Sequence, residues 1–334
     1  MRAAYIRHYG SRAKLTIGDV PEPSMGDRDV LIQIHSASLN PIDFKIRNGS
    51  LRFLRRDAFP LVLGHDLAGI VTAVGRNATR FRTGDRVFSR PRNGRIGTLA
   101  EFIAVDETDV APMPKSLDFD DAASLPLVGL TSWQALVDTA KVGPGDRVFI
   151  QAGSGGIGTF AIQLAKHLGA YVSTTTSERN FELVRSLGAD ELIDYRTVNF
   201  KDVLKELDVV FDTLGGDALY QSFHILRPGG WLVSIAGEPN ADTARDLGLG
   251  WFKSLVLAWV GRKVDRLARS SAVNYRFLFV KPRGDQLSEI GSLVDQGKIR
   301  PVIDRCFSLA QAQEAMEYLE SGRVRGKVIV RICS

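Results

Sequence analysis

The run VFIQAGSGGIG, Val148 to Gly158, constrains this chain more than any other stretch. Val148, Phe149 and Ile150 read as a short buried strand, the glycines as a tight turn, and Thr159 to Leu168 as a helix opening directly from that turn. Apolar residues at Ile157, Phe160, Ala161, Leu164, Ala165 and Leu168 keep helical spacing, and Gly169 stands where a helix C-cap belongs. Glycines let backbone N–H groups approach a pyrophosphate, and a helix N-terminus adds partial positive charge. Strand, turn and helix together therefore predict a dinucleotide-binding crossover, with Gly153, Ser154, Gly155, Gly156 and Ile157 as the phosphate cradle.

At 334 residues, 44% hydrophobic and 24% charged, the chain is long enough for two globular domains. From Met1 to about Leu125 it reads as short strands and Gly/Pro turns, with strands at Arg2–Ile6, Val30–Ser38, Gly69–Val74 and Arg86–Phe88. Strands and helices then alternate, the strands being Val148–Gln151, Tyr171–Thr175, Glu191–Asp194, Val209–Asp212, Trp231–Ile235 and Arg276–Val280. Such alternation predicts a doubly wound parallel sheet. Beyond Pro301 come a strand at Val302–Phe307, a helix at Ala310–Leu319 and a last strand at Lys327–Ile332, which complete the first domain. The expected class is α/β, with a mostly β domain over 1–122 and 299–334 and a dinucleotide-binding domain over 123–298. The stretch Glu238 to Ser271 reads as a buried helix, or as the lining of an apolar pocket.

No apolar run approaches eighteen residues, and Trp251 to Val260 is too short to span a bilayer. The opening MRAAYIRHYG is too polar for a signal peptide, so the cytoplasm is the expected address. Cys306 and Cys333, the only cysteines, offer neither a disulfide framework nor a zinc cluster and read as reduced and structural. A net charge of +5 and arginines at Arg76, Arg80, Arg82, Arg86, Arg90, Arg92 and Arg95 suggest solvated loops and a phosphate-bearing cofactor. No aromatic interleaving points to nucleic acid.

Several separated segments resemble the zinc-free quinone oxidoreductase and enone reductase branch of the medium-chain dehydrogenase/reductase superfamily. They are SLNPIDFKIRNG (38–49), FPLVLGHDLAGIVTAVG (59–75), ASLPLVGLTSWQAL (123–136), QAGSGGIG (151–158), SLGADELIDYR (186–196) and YLESGRVRGKVIV (318–330). The resemblance implies a GroES-like domain, built from both chain ends, beside a central Rossmann domain. It also implies a homodimer, with Tyr275 to Val280 as the candidate pairing edge. In zinc-dependent relatives a cysteine and the histidine of a G-H-E motif are among the metal ligands. Here Leu39, Asn40 and Pro41 occupy the cysteine region and only Gly64, His65 and Asp66 survive, so no metal is expected.

An NAD site carries an acid at the end of its second strand to accept the ribose hydroxyls. This chain has Thr174, Thr175, Thr176 and Ser177 there, with Arg179 following, which suits a 2′-phosphate and favours NADPH. Glu178, between the two proposed ligands, leaves a ribose hydroxyl contact open. The resemblance adds Tyr195 on the adenosine side and Leu214, Ala236 and Gly237 after later strands. It also adds Thr131 at the nicotinamide and Lys327 reaching the cofactor from the first domain. Asn40 and Lys45 are the candidates for orienting ribose and substrate, and Asp43 for fixing their loop. Pocket shape is expected to depend on Phe53, Phe88, Trp251, Phe252 and Phe277. Without a metal to stabilise an alkoxide, quinones and α,β-unsaturated carbonyls are the expected hydride acceptors. The alternatives are an NADPH-binding sensor with little turnover and a zinc alcohol dehydrogenase.

Overall fold

The computed structural model describes residues 1–52 and 57–333. Phe53, named above as shaping the pocket, lies outside the described residues. The chain divides into two compact units, Met1–Leu130 with Lys281–Ser334, and Thr131–Val280.

The first unit opens with β1 (Arg2–Ile6), β2 (Thr16–Asp19), β3 (Asp29–Leu39), α1 (Pro41–Arg47), β4 (Leu61–Val62), β5 (Asp66–Val74) and β6 (Arg86–Ser89). β7 (Phe102–Asp106), β8 (Val110–Pro112), α2 (Phe119–Ala123) and α3 (Pro126–Trp133) follow, α3 leading into a π-helical turn at Gln134–Thr139. The second unit contains β9 (Arg147–Ile150), α4 (Gly156–His167), β10 (Tyr171–Thr176), α5 (Phe181–Ser186), β11 (Glu191–Asp194), α6 (Phe200–Val203) and β12 (Leu207–Asp212). It ends with α7 (Gly216–Ser222), β13 (Leu226–Ser234), α8 (Ala241–Asp246), α9 (Trp251–Val260), α10 (Arg262–Ser270) and β14 (Asn274–Phe277). The chain then returns to the first unit through α11 (Gly284–Asp295), β15 (Ile303–Ser308), α12 (Ala312–Glu320) and β16 (Lys327–Arg331).

In the second unit the sheet order is β11-β10-β9-β12-β13-β14, and every pairing is parallel. The first strand of the unit is therefore central. Its neighbours β10 and β12 lead away in opposite directions, which puts the topological switch point at the carboxyl end of β9. Val148, Phe149 and Ile150 are fully buried, as strands covered by helices on both faces require.

The first unit has a small antiparallel sheet, β2-β1-β4, and a larger one, β15-β16-β3-β5-β6-β8, with β7 also paired to β3. β16 runs antiparallel to β3, with Val328 opposite Leu39 and Ile329 opposite Ser38. The end of the chain thus sits beside a strand from its beginning. One core cluster joins Ala4, Ile6, Leu39, Ile46 and Leu63 to Met316, Val328 and Val330.

Two expectations need correction. The stretch 238–271 is helical, but it is no buried helix: Trp251, Phe252, Leu255 and Trp259 of α9 are exposed. Cys306 is a free, exposed thiol rather than a core side chain. The arginine-rich stretch carries local ion pairs, Arg76 with Asp27, Arg82 with Asp85, Arg92 with Asp106 and Asp109, and Arg95 with Asp29. Among the described residues no helix is long and apolar enough to cross a membrane.

Met316 is fully buried in the cluster that joins the two ends of the first unit. Met316→Ala should lower the unfolding free energy by about 2–5 kcal/mol, because a cavity adds to the lost transfer energy. Urea denaturation checks this through a lower midpoint at unchanged slope.

Candidate functional site

The turn after β9 is shaped by contacts that exclude side chains. Ala152 adopts φ +52, which an L residue rarely does, and its carbonyl oxygen accepts the Gly155 N–H at 2.9 Å. A Cβ on Gly158 would lie 2.4 Å from that same oxygen and 2.6 Å from Gly153 Cα. A Cβ on Gly153 would lie 2.3 Å from Thr174 Oγ1, which itself donates to the Ile150 carbonyl at 2.6 Å. Gly153 N–H donates to the Thr175 carbonyl at 2.9 Å, fastening the turn to β10. The first turn of α4, Gly156 to Gly158, follows Gly155 as its N-cap. Its leading N–H groups have no helical carbonyl to bond, and the helix dipole makes that end positive. This is a cradle for a phosphate, and the residues fit a dinucleotide.

A second set of side chains stands beside the turn. Asn180 Nδ2 donates to Ser154 Oγ at 3.0 Å and to Ser177 Oγ at 3.2 Å, and Thr176 Oγ1 donates to Ser154 Oγ at 2.9 Å. Asn180, Thr176 and Ser177 are buried, whereas Arg179 and Glu178 are exposed. The hydroxyls of Ser154 and Ser177 are thereby joined through one amide. Sequence reasoning named both serines and missed Asn180, although an Asn three residues past a strand-ending serine is a recognisable turn signal.

The loops after β12 and β13 are linked as well. Asp212 Oδ1 accepts the N–H groups of Gly215 at 2.9 Å and Leu214 at 3.3 Å, while Ser234 Oγ donates to Asp212 Oδ2 at 2.5 Å. Ser234 Oγ in turn accepts the N–H groups of Ala236 at 3.2 Å and Gly237 at 2.7 Å. Burial pushes the Asp212 carboxyl above its ordinary value, against the lowering effect of these hydrogen bonds. Leu214, Ala236 and Gly237 thus belong to one hydrogen-bonded shelf at the carboxyl ends of the strands. Leu214 is exposed there, and so is Tyr195 beyond β11, with the Arg196 guanidinium over its ring. Thr131 is buried in α3.

The first unit has its own buried polar cluster. Asp66 is fully buried, and its Oδ1 accepts the Leu127 N–H at 2.7 Å. Its Oδ2 accepts from Ser38 Oγ at 2.8 Å, Asn40 Nδ2 at 2.8 Å and Lys327 Nζ at 3.1 Å. Lys327, only 5% exposed, also donates to the Leu39 carbonyl at 3.2 Å and to Asn40 Oδ1 at 2.5 Å. All three ammonium donors are therefore used within the unit. Asn40 precedes α1, and Asp43 Oδ2 accepts its backbone N–H at 2.8 Å. Asp43 Oδ1 accepts the Gly64 N–H at 3.1 Å and contacts His65 Nδ1 at 2.7 Å. Lys45, on the same helix, is exposed. Of the pair Asn40 and Lys45, the first is embedded in the cluster and the second faces solvent.

This donor set does not fit a catalytic zinc. His65 Nε2 is buried and has no hydrogen-bond partner, which makes one nitrogen ligand conceivable. The Asp66 oxygens are already occupied by four donors, and among the described residues no group of three or more His, Cys, Asp or Glu side chains is placed to hold a metal ion.

Residues 26–115 match the model of the alcohol dehydrogenase GroES-like domain, and residues 187–330 that of the zinc-binding dehydrogenases. The chain is 38% identical over 327 residues to the mitochondrial NAD(P)H oxidoreductase RTN4IP1 of Danio rerio, covering 91% of this chain and 84% of that one. It belongs to the medium-chain dehydrogenase/reductase superfamily. Among the relatives of this reductase is the chloroplastic quinone-oxidoreductase QR1 of Triphysaria versicolor, 32% identical, with 99% of this chain and 98% of that one covered. The quinone oxidoreductase structure from Coxiella burnetii superposes with a TM-score of 0.85 at 33% identity, covering 100% of this chain and 99% of that one. The fold is accordingly a GroES-like unit with a Rossmann unit, and the protein is a nicotinamide-dependent oxidoreductase.

Lys327→Met leaves the Asp66 carboxylate buried without its cation. The variant should lose about 3–5 kcal/mol of stability, and Lys327→Met/Asp66→Asn should recover much of that loss because no buried charge remains. Urea unfolding of these two variants and of Asp66→Asn alone, read as a double-mutant cycle, checks the coupling.

Proposed function

We propose that this reductase uses NADPH to reduce quinones or α,β-unsaturated carbonyl compounds without a metal. The observation that carries the cofactor reading is the end of β10. No carboxylate stands among its last residues, and Ser177 and Asn180 are joined to Ser154 of the phosphate turn, with Arg179 exposed beside them. Hydroxyls and a guanidinium bind a 2′-phosphate through charge-assisted hydrogen bonds, and a strand-end carboxylate would repel it. The substrate reading is supported by the saturated Asp66 cluster, whose carboxylate oxygens are already bonded to four donors and so are poorly placed to hold a Lewis-acidic metal for alcohol oxidation, and by relatives named for quinone and alkenal/one reduction.

NADPH, when bound, supplies the hydride. Ser154, Gly156 and Ile157 would hold its pyrophosphate through backbone N–H groups and the α4 dipole, while Gly153 and Gly155, whose own N–H groups bond the Thr175 and Ala152 carbonyls, shape the turn. Ser177 and Arg179 take the 2′-phosphate, and Tyr195 packs at the adenosine end. Leu214, Ala236 and Gly237, fixed by Asp212 and Ser234, support the ring together with Thr131. Asn40 and Lys327 act from within the Asp66 cluster as positioning residues, because their polar atoms are already bonded there. Lys45, exposed on α1, is the candidate for orienting an acceptor oxygen. A homodimer paired along β14, the last strand of the parallel sheet, is the assembly that goes with this reading.

Two measurements test it. Purified protein should oxidise NADPH in the presence of members of an ortho-quinone, para-quinone and enone panel. Tight NADPH binding with no turnover across the panel would instead favour a sensor. Arg179→Ala should raise the KM for NADPH about tenfold or more, since a charge-assisted hydrogen bond contributes roughly 1.5–3 kcal/mol, and should leave the KM for NADH unchanged. An equal change for both cofactors contradicts the assignment of Arg179.

A further inference from the structure

Helix α9 presents the largest apolar side chains of the second unit to solvent. Trp251 is 77% exposed, Phe252 63%, Leu255 60% and Trp259 74%. Trp251, Leu255 and Trp259 recur every fourth residue, with Phe252 alongside, so they form one stripe. The exposed stripe amounts to roughly 600 Å² on side chains of this size, whereas the surfaces of soluble monomers seldom carry so large a patch without a partner.

The segment that carries the stripe is fixed at its base. Asn240 Nδ2 donates to Asp265 Oδ1 at 2.8 Å, the Lys263 ammonium lies 3.3 Å from the centroid of the Tyr220 ring, and Val264 and Ala268 are part of the core. At the joint between α9 and α10, a Cβ on Gly261 would lie 2.4 Å from Asn240 Cβ, so this backbone packs too closely for any side chain. The stripe is therefore held out by a packed support.

Charge decides what covers it. Residues 251–270 hold Lys253, Arg262, Lys263, Arg266 and Arg269 against the single acid Asp265, a net of +4 by count, while the whole chain carries +5. Arg262, Lys263, Arg266 and Arg269 are exposed. A twofold contact through this face would bring the same cationic helix of two copies to one interface, which like charges oppose. An anionic surface satisfies both the apolar stripe and its basic flank. Ten residues make a helix of about 15 Å, half of a hydrocarbon core of about 30 Å, so α9 can lie in a bilayer surface but not cross it. Trp251 and Trp259 stand near its two ends, and indole rings favour the headgroup level.

We propose that α9, together with the exposed basic residues of α10, which directly follows it, is a docking surface for an anionic lipid bilayer. The surface lies wholly in the second unit and does not depend on the reductase reading. The test likewise requires no turnover, so failure of one leaves the other standing.

The full-length protein is incubated with vesicles of phosphatidylcholine alone or mixed with phosphatidylglycerol, and binding is read by co-sedimentation and by tryptophan quenching with brominated lipid. The expected result is retention and quenching on the anionic vesicles, weakened by salt. Retention should fall about tenfold on pure phosphatidylcholine, and as much in Trp251→Ser/Trp259→Ser and in Arg262→Glu/Arg266→Glu. All four side chains are exposed, so both variants should melt as the wild type does. Absence of quenching in the wild type overturns the proposal without recourse to any variant. Equal retention by wild type and variants overturns it too. So does a wild-type dimer that Trp251→Ser/Trp259→Ser converts to monomer while no vesicle binding is seen.

Discussion

The Asp66 carboxylate holds the first unit together. Its four donors come from β3 (Ser38), the residue before α1 (Asn40), the start of α3 (Leu127) and the last strand, β16 (Lys327). A fully buried charge is tolerable only when it is paired and its remaining lone pairs are bonded. Asp66 therefore fixes the mutual placement of four segments, the most distant of which lies 261 residues along the chain from it. The β3–β16 ladder and the core cluster around Met316 reinforce the same closure. Asp43 repeats the device on a smaller scale, tying the Asn40 backbone to Gly64 and His65.

The second unit depends on exclusion of atoms. Its turn exists because Gly153 and Gly158 have no Cβ and because Ala152 accepts a left-handed backbone. Close packing of α4 against the end of β9 then aims unbonded N–H groups at the switch point. Polar links extend the arrangement: Asn180 joins Ser154 to Ser177, and Asp212 with Ser234 joins the loops carrying Leu214 and Gly237. In these links the buried side chains hold the backbone of the turn and loops in place.

Much of this was legible beforehand where a signal is local. The strand at Glu191–Asp194 and the first strand at Arg2–Ile6 fall where alternation and turn residues put them, and the long strand at Asp29–Leu39 differs by a residue at each end. Helix α1 carries only start signals, Pro41 at its first position and Asp43 at its third, and its seven residues are too few for a clear apolar period. The two-residue β4 is invisible in sequence because it exists only through its pairing with β1. Lys327 was expected to reach the cofactor, and its bonds to Leu39, Asn40 and Asp66 depend on a chain closure that no local pattern reveals.

The crossover at Val148 to Gly158, the alternation that makes a doubly wound sheet and the lack of an acid at the end of the second strand can all be read from the sequence without the fold. Each of these is written in neighbouring residues, because glycine geometry, periodicity and side-chain charge act within a few bonds. Only the tertiary structure decided that Asn40 and Lys327 serve a buried carboxylate, that Asn180 couples two hydroxyls, and that the aromatic residues of α9 face outward. Burial and hydrogen-bond partnership are set by residues distant in the chain. An apolar helix such as α9 has the same periodicity whether its stripe is covered or open.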